Sequence, residues 1–547
     1  MTPTIFTRLI CVLSITLQAW SVAAGLTNAP PVRQTLMVAM RDGIKLATDV
    51  YSPATNGAWP VILARTPYNK SLGAGIATQA VTRDFVFVVQ DVRGRYASEG
   101  ENLAFDRDMP DGFDTIEWVA KQPWCNGRIG TWGGSAGAIT QLQLAGSGTD
   151  KLACQHLVVG GPSLYYDVVY AGGVFRKSLA EDWLRISQFS PEALKLWVRH
   201  PAYDDYWRER DPAHNYDRID APAVHIGGYW DIFAQGTVDS FLGYQTKGGP
   251  RARNRQKLVM GPWTHGVLQE KAGELTFPHA KKPPGKIDDA WLWFDHWLKD
   301  VDNGIDRAPA VTYYVIGDVF ATNAPGNEWR TSPTWPPLPT QPRDYYFHAD
   351  RSLATNPPPA HAPLGFRYDP QNPAPTVGGL QLTIPAGPMD QMKVEQRDDV
   401  LVFTGGALAE PLEVCGQVQA RLWVSSDAPD TDFFVKLCDV YPDGRSFNIC
   451  EGCVRARFRD GFSKETPMQA GEIYPLAIHL SPTSIIFNRG HRLRVQVTSS
   501  SAPGYDPNPN TGEPFRASDR TQIADNSVYV APDRASRVVL PVVPTSP

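Results

Sequence analysis

The chain of 547 residues has no surplus of basic charge. Its 52 Lys and Arg stand against 57 Asp and Glu, a net charge of -5, so it lacks the electrostatic footprint of a nucleic-acid binder, and nucleic acid is not an expected partner. After the first two dozen residues it has no apolar run long enough to cross a bilayer, so stable membrane insertion is not expected. It has no internal repeat of fixed period, which excludes a repeat array. It shows no metal-binding or cofactor motif, and neither a metal nor a cofactor is expected. Cysteine is scarce, at seven residues. A chain this long must instead rest on apolar cores, and its length suggests two to four domains.

What is present begins with a leader. Residues 1–24 carry Arg8, then the apolar stretch 9–13, and end in the small residues Ser21, Ala23 and Ala24. That order is the order of a secretory signal peptide cleaved after Ala23 or Ala24, and it implies a periplasmic or extracellular protein. Removal of the leader leaves Cys125, Cys154, Cys415, Cys438, Cys450 and Cys453. An even number in an exported chain suggests disulfides. Cys125 and Cys154 each precede an apolar run, and if those runs are parallel neighbours both thiols sit at the same end of the sheet and could bridge. Cys450 and Cys453 have redox or zinc spacing, but the alternating residues 454–459 read as a strand. A structural disulfide or paired loop is the expectation there.

From residue 34 to 159 short apolar runs (61–64, 85–89, 128–132, 156–159) alternate with helical or loop segments, among them an acidic helix over 111–121. Runs buried on both faces mark a mostly parallel α/β sheet. Residues 164–220 break the pattern with aromatics and charges at helical spacing and read as a helical insertion. The α/β pattern resumes at 223–227 and 257–261, and a Trp-rich helix over 289–299 closes the first core. Beyond 309 prolines cluster and apolar runs alternate, as in 417–424, which argues a β-sandwich or jelly roll. The expected organisation is therefore a leader (1–24), an α/β domain in two parts (25–163 and 221–308), a helical cap (164–220) and a β domain (309–547).

Gly133-Gly134-Ser135-Ala136-Gly137 is a G-x-S-x-G pentapeptide between a strand and a helix, the setting in which a serine is displayed on a sharp turn. A serine hydroxyl needs a histidine to take its proton and a carboxylate to hold that histidine's tautomer. On α/β sheets of this kind the order is Ser, acid, His, each on a loop after a strand. Asp231 follows the run 223–227 and His265 follows the run 257–261. Among the rivals, His225 reads as a packed strand residue, His296 as part of the Trp-rich helix, and His156 as opening a strand at the wrong end of the sheet.

Several stretches carry a resemblance: residues 65–70 (RTPYNK), 90–100 (QDVRGRYASEG), 127–130 leading into the elbow, 228–231 (GYWD), 261–265 (GPWTH) and 508–512 (NPNTG). On these the chain resembles the cocaine esterase and glutaryl acylase group of α/β hydrolases, related to X-Pro dipeptidyl peptidases, over nearly all of the mature sequence. The resemblance implies an α/β-hydrolase sheet with an inserted helical cap and a C-terminal jelly roll. It implies Ser135 as nucleophile, Asp231 as orienting acid and His265 as general base, with the Tyr68 hydroxyl and the Ala136 backbone N–H as oxyanion hole. The chain departs from the group twice. Ala136 stands where a tyrosine is common, and Ile232-Phe233-Ala234 follows Asp231 where relatives acting on α-amino acid esters carry carboxylates. Asp167, Glu181 and Asp182 in the cap are the remaining acidic candidates for an ammonium clamp, and they read as solvated helix charges. The expected activity is hydrolysis of a small-molecule ester or amide through an acyl-enzyme. The rival readings are an X-Pro exopeptidase and a catalytically silent surface-binding protein.

Overall fold

A computed structural model describes residues 31–337 and 339–544. The leader read at residues 1–24 lies outside the described residues. Ten strands form the first sheet: β1 (Val32–Ala39), β2 (Lys45–Ser52), β3 (Trp59–Thr66), β4 (Val86–Asp91), β5 (Cys125–Gly134), β6 (Leu152–Val158), β7 (Ala223–Gly228), β8 (Lys257–Gly261), β9 (Val311–Val315) and β10 (Glu328–Ser332). Their spatial order is β1-β2-β4-β3-β5-β6-β7-β8-β9-β10. The pairs from β4 through β9 are parallel, and the outer pairs are antiparallel. Every residue of β4, β7, β8 and β9 is buried, as expected for parallel strands covered on both faces. The sheet thus continues past residue 308: β9 and β10, read from sequence as part of the β domain, are its last two strands. The wholly buried run Val311–Val315 fits beside β8 because it has no polar face to turn toward water.

Helix Asp108–Ala120 packs on helix Ala136–Gly146 on one side of the sheet, and helix Ala290–Lys299 packs on β5 and β6 on the other. The latter contact is close because β5 carries Gly130: a Cβ there would lie 3.0 Å from the Phe294 ring and 3.1 Å from Leu298. Between β6 and β7 the chain leaves the sheet and forms helices Lys177–Ile186, Pro191–Val198 and Asp205–Arg208 around the buried aromatics Tyr165, Tyr170, Phe175, Trp183, Trp197 and Trp207. The C-terminal strands make an 11-stranded, mostly antiparallel assembly. Its long strands Leu412–Ser426 and Tyr474–Phe487 pair with each other, and Asp432–Val440 pairs with Ser446–Arg455. One apolar core runs from β8 and β9 through Trp230 into this β domain, and Trp230 donates its indole N–H to the Asn448 carbonyl at 3.2 Å.

The expected disulfides are corrected. All six cysteines in the described residues are free thiols. Cys154 is in register with Gly130, which leaves Cys125 five residues back along β5, about 16 Å at the rise of a strand, whereas a bridge needs Cα atoms within about 7 Å. Cys450 and Cys453 both lie in the strand Ser446–Arg455, opposite Leu437 and Phe434. Three residues apart in a strand, they face opposite sides and cannot meet.

Candidate active site

β5 ends at Gly134, and Ser135 turns the chain into helix Ala136–Gly146 with φ 57° and ψ -123°. A non-glycine residue with positive φ is strained. The turn is tight enough that a Cβ on Gly133 would meet the Gly137 carbonyl oxygen at 3.0 Å. The Ser135 N–H donates to the Val158 carbonyl at 2.9 Å, which ties the elbow to β6. Beneath it the Gln141 amide donates to the carbonyls of Gly133 at 3.0 Å and Gly137 at 3.1 Å, while its oxygen accepts from the Thr131 hydroxyl at 2.8 Å. Gln141 was not singled out from sequence. The available signal is a glutamine one helical turn beyond Gly137, but the same helix also buries Thr140 and Gln143, so a polar residue on its inner side does not stand out.

Asp231 sits in the turn after β7, fully buried, its N–H donating to the Gly228 carbonyl at 3.1 Å. His265 sits in the loop after β8. Nδ1 of His265 lies 2.7 Å from Oδ1 of Asp231, and Nε2 lies 2.9 Å from the Ser135 hydroxyl oxygen. A carboxylate only accepts, so Nδ1 carries the proton and Nε2 presents its lone pair to the Ser135 O–H. The Phe233 ring meets His265 edge-on at 5.8 Å. Tyr68 follows β3, its N–H held by the Thr66 hydroxyl at 3.0 Å. Burial pushes the Tyr68 phenol up to about 12, with hydrogen bonds to Trp183 and Ser135 pulling the other way, so it keeps its proton and remains a donor across the working range of pH. The Ala136 N–H opens the helix, where a first-turn N–H has no intrahelical partner. The five residues read from sequence are therefore brought together.

The other histidines lie elsewhere. His225 is buried between Ser240 at 2.9 Å and Gln256 at 3.2 Å, and burial lowers its ring to about 4. His156 does not open a strand: it is the fifth residue of β6, buried against Trp132 and Phe294, and burial lowers it likewise to about 4.

The cap acids need a correction at one position. Asp182 pairs with Arg185 at 2.8 Å, and Glu181 is tied to Arg516 at 2.5 Å. Asp167 is not a solvated charge: it is buried and wedged beside Gly161 and Gly236, with Oδ2 accepting from the Ser163 N–H at 2.9 Å. Burial first, then Asp239, pushes its carboxyl up to about 8. A folded pKa above the unfolded value means that the folded state is increasingly penalised as pH rises toward 8, and that the penalty is constant beyond it. Asp167→Asn keeps the acceptor and cannot ionise. Its Tm advantage over the wild type is expected to grow between pH 6 and 8 and then level off. A difference in Tm that stays constant over that range would show that Asp167 is ionised throughout.

The profile of the X-Pro dipeptidyl-peptidase (S15 family) matches residues 42–193 and 181–267, and that of the X-Pro dipeptidyl-peptidase C-terminal non-catalytic domain matches 303–539. A cocaine esterase of Rhodococcus sp. (strain MB1 Bresler) is 32% identical over 581 residues, covering 94% of this chain and 98% of that one. The chain belongs to the cocaine esterase group of serine hydrolases. Other members of this α/β-hydrolase fold are similar over their whole length. An aminopeptidase from a marine sediment Thaumarchaeota archaeon superposes with a TM-score of 0.79 at 25% identity, covering 96% of this chain and 99% of that chain. An α-amino acid ester hydrolase does so with a TM-score of 0.78 at 25% identity, with the same coverage. In this chain Ala136 follows Ser135 with no polar side chain, and no carboxylate stands at 232–234. No helix among the described residues is long and apolar enough to cross a membrane.

Proposed function

We propose that this protein is an exported hydrolase that cleaves a small-molecule ester or amide through an acyl-enzyme on Ser135. The observation that carries the reading is the unbroken chain of contacts from Asp231 through His265 to Ser135, 2.7 Å and 2.9 Å. His265 Nε2 takes the proton as Ser135 Oγ attacks the carbonyl carbon. The developing oxyanion receives the Tyr68 O–H and the Ala136 N–H. His265 then returns the proton to the leaving oxygen or nitrogen as the scissile bond breaks. A water molecule attacks the ester so formed, giving a proton to His265, which passes it to Ser135 Oγ as the acyl–oxygen bond breaks and the carboxylic acid leaves.

An uncharged acyl group is favoured over a peptide with a free N-terminal ammonium. An ammonium needs a carboxylate to replace its hydration, yet Phe233 and Ala234 follow the catalytic loop, Glu181 and Asp182 are engaged with arginines, and burial keeps Asp167 largely protonated at neutral pH. The apolar cluster that Tyr68 borders includes Phe105, Ile232 and Phe233, surfaces suited to an aromatic or aliphatic acyl group. Export rests on the leader at residues 1–24.

Labelling with a fluorophosphonate tests the class, because the adduct must form on Ser135 in the folded protein. Absence of the adduct would remove the serine mechanism. A panel of p-nitrophenyl esters, β-lactam side-chain amides and Pro-linked dipeptide anilides then separates the reading from its rival, with turnover of esters expected to exceed that of the anilides. Tyr68→Phe is expected to lower kcat about a hundredfold with KM little changed, since one oxyanion donor is lost. A rate within threefold of wild type would leave the oxyanion hole without its side-chain donor.

A further inference from the structure

Trp183 lies on the cap helix Lys177–Ile186, outside the residues that carry the proposed chemistry, and its indole Nε1–H donates to the Tyr68 hydroxyl oxygen at 2.8 Å. An indole N–H can only donate, and a phenol has one proton and two lone pairs. The bond therefore occupies a lone pair of Tyr68 and bars its proton from pointing at Trp183. The proton is left to the other side of the oxygen, toward Ser135. A donor behind a hydroxyl also polarises it and strengthens the bond that it makes in front.

We propose that Trp183 is a positioning residue of the oxyanion hole: its indole N–H orients and polarises the Tyr68 hydroxyl so that the phenolic proton is presented to the oxygen that becomes negative in the transition state. The proposal rests on the reading of Tyr68 as an oxyanion donor.

Packing alone does not demand this bond. Trp263, Trp293 and Trp297 bury their indole nitrogens with no hydrogen-bond partner among the described residues, so this fold tolerates unpaired indoles, yet the one at Tyr68 is paired at short range. The indole is also held still. Its ring stacks on Phe105 at 5.5 Å and 1°, lies parallel to Trp197 at 6.4 Å and 4°, and meets Phe189 at 5.0 Å. The helix that carries it is fixed by the β domain: the Ser178 N–H donates to the Gly504 carbonyl at 3.3 Å, the Thr383 hydroxyl donates to the Ser178 carbonyl at 2.9 Å, and Glu181 pairs with Arg516 at 2.5 Å. Preorganisation of an oxyanion donor in this site therefore extends from the β domain through one cap helix to one N–H.

The test is a double-mutant cycle on hydrolysis of a p-nitrophenyl ester by the full chain, with Trp183→Phe, Tyr68→Phe and both. Trp183→Phe is expected to lower kcat about tenfold, the weight of one well-placed hydrogen bond, with KM within about threefold. In the Tyr68→Phe background the same change is expected to cost less than about twofold, because there is no phenolic proton left to orient. Replacing Trp183 by 3-benzothienylalanine, which keeps the shape and removes only the N–H, must reproduce the kcat loss and so separates the bond from the packing. The proposal is overturned if Trp183→Phe costs the same factor in both backgrounds, if its effect lies in KM, or if the benzothienyl variant turns over at the wild-type rate. A slow Tyr68→Phe beside an unimpaired Trp183→Phe rejects the proposal and leaves the oxyanion reading standing. An unimpaired Tyr68→Phe rejects both.

Discussion

Ser135→Ala is expected to lower kcat by about 10⁵- to 10⁶-fold, the scale on which loss of the nucleophile disables a serine triad, while leaving the Tm unchanged. The two halves of that expectation come from different features of the elbow. Catalytically, the Ser135 hydroxyl is the atom 2.9 Å from His265 Nε2. The residual rate should reflect the oxyanion donors and substrate binding alone. Structurally, the Ser135 side chain caps no helix N–H, so alanine removes no bond on which the helix depends, and it keeps the Cβ at φ 57°. Glycine does not carry that strain: Ser135→Gly should be equally inactive but more stable than Ser135→Ala, by about 1 kcal/mol. Calorimetry beside single-turnover kinetics checks both parts. A coupled loss of activity and Tm in Ser135→Ala would mean that the variant reports unfolding and not chemistry.

The parts of this site that sequence revealed are those placed by local rules. A buried run followed by a loop at its carboxyl end locates Ser135, Asp231 and His265 without knowledge of how the sheet is ordered, because parallel strands bring their carboxyl ends to one edge. The parts that stayed hidden are decided by contacts across the chain. Trp183 reaches Tyr68 over 115 residues, and nothing in its helix distinguishes it from a packing aromatic. Asp167 reads as a surface charge until Gly161 and Gly236 close over it. Gln141 reads as an ordinary helix former until its amide is seen to hold two elbow carbonyls. The cysteines mislead for the same reason: their even number was visible, but the register that keeps Cys125 and Cys154 apart is a property of the paired strands. The extent of the sheet was likewise underestimated, since the change of composition near residue 309 hides that β9 still pairs with β8.

Asp231→Asn is expected to lower kcat about 10⁴-fold with the fold intact. Oδ1 of Asp231 is 2.7 Å from Nδ1 of His265, and Oδ2 is buried with no hydrogen-bond partner among the described residues, so the histidine is the one side chain to which this carboxylate is committed. Two effects of that commitment are lost together in the asparagine variant. The carboxylate can only accept, and thereby fixes the proton on Nδ1. An amide can present its NH₂ instead, which moves the imidazole proton to Nε2 and leaves no lone pair for the Ser135 hydroxyl. The carboxylate also balances the imidazolium that forms as His265 takes the serine proton, in a turn where full burial of Asp231 leaves little water to do so. The Asp231 N–H bond to the Gly228 carbonyl at 3.1 Å belongs to the backbone and survives, so the turn after β7 keeps its shape. Because Asp231 acts only through His265 on Ser135, its effect should vanish once the nucleophile is gone: Ser135→Ala with Asp231→Asn should be no slower than Ser135→Ala alone. A single-mutant loss below tenfold, or a further loss in the double variant, would remove Asp231 from the relay and return the orienting role to another carboxylate.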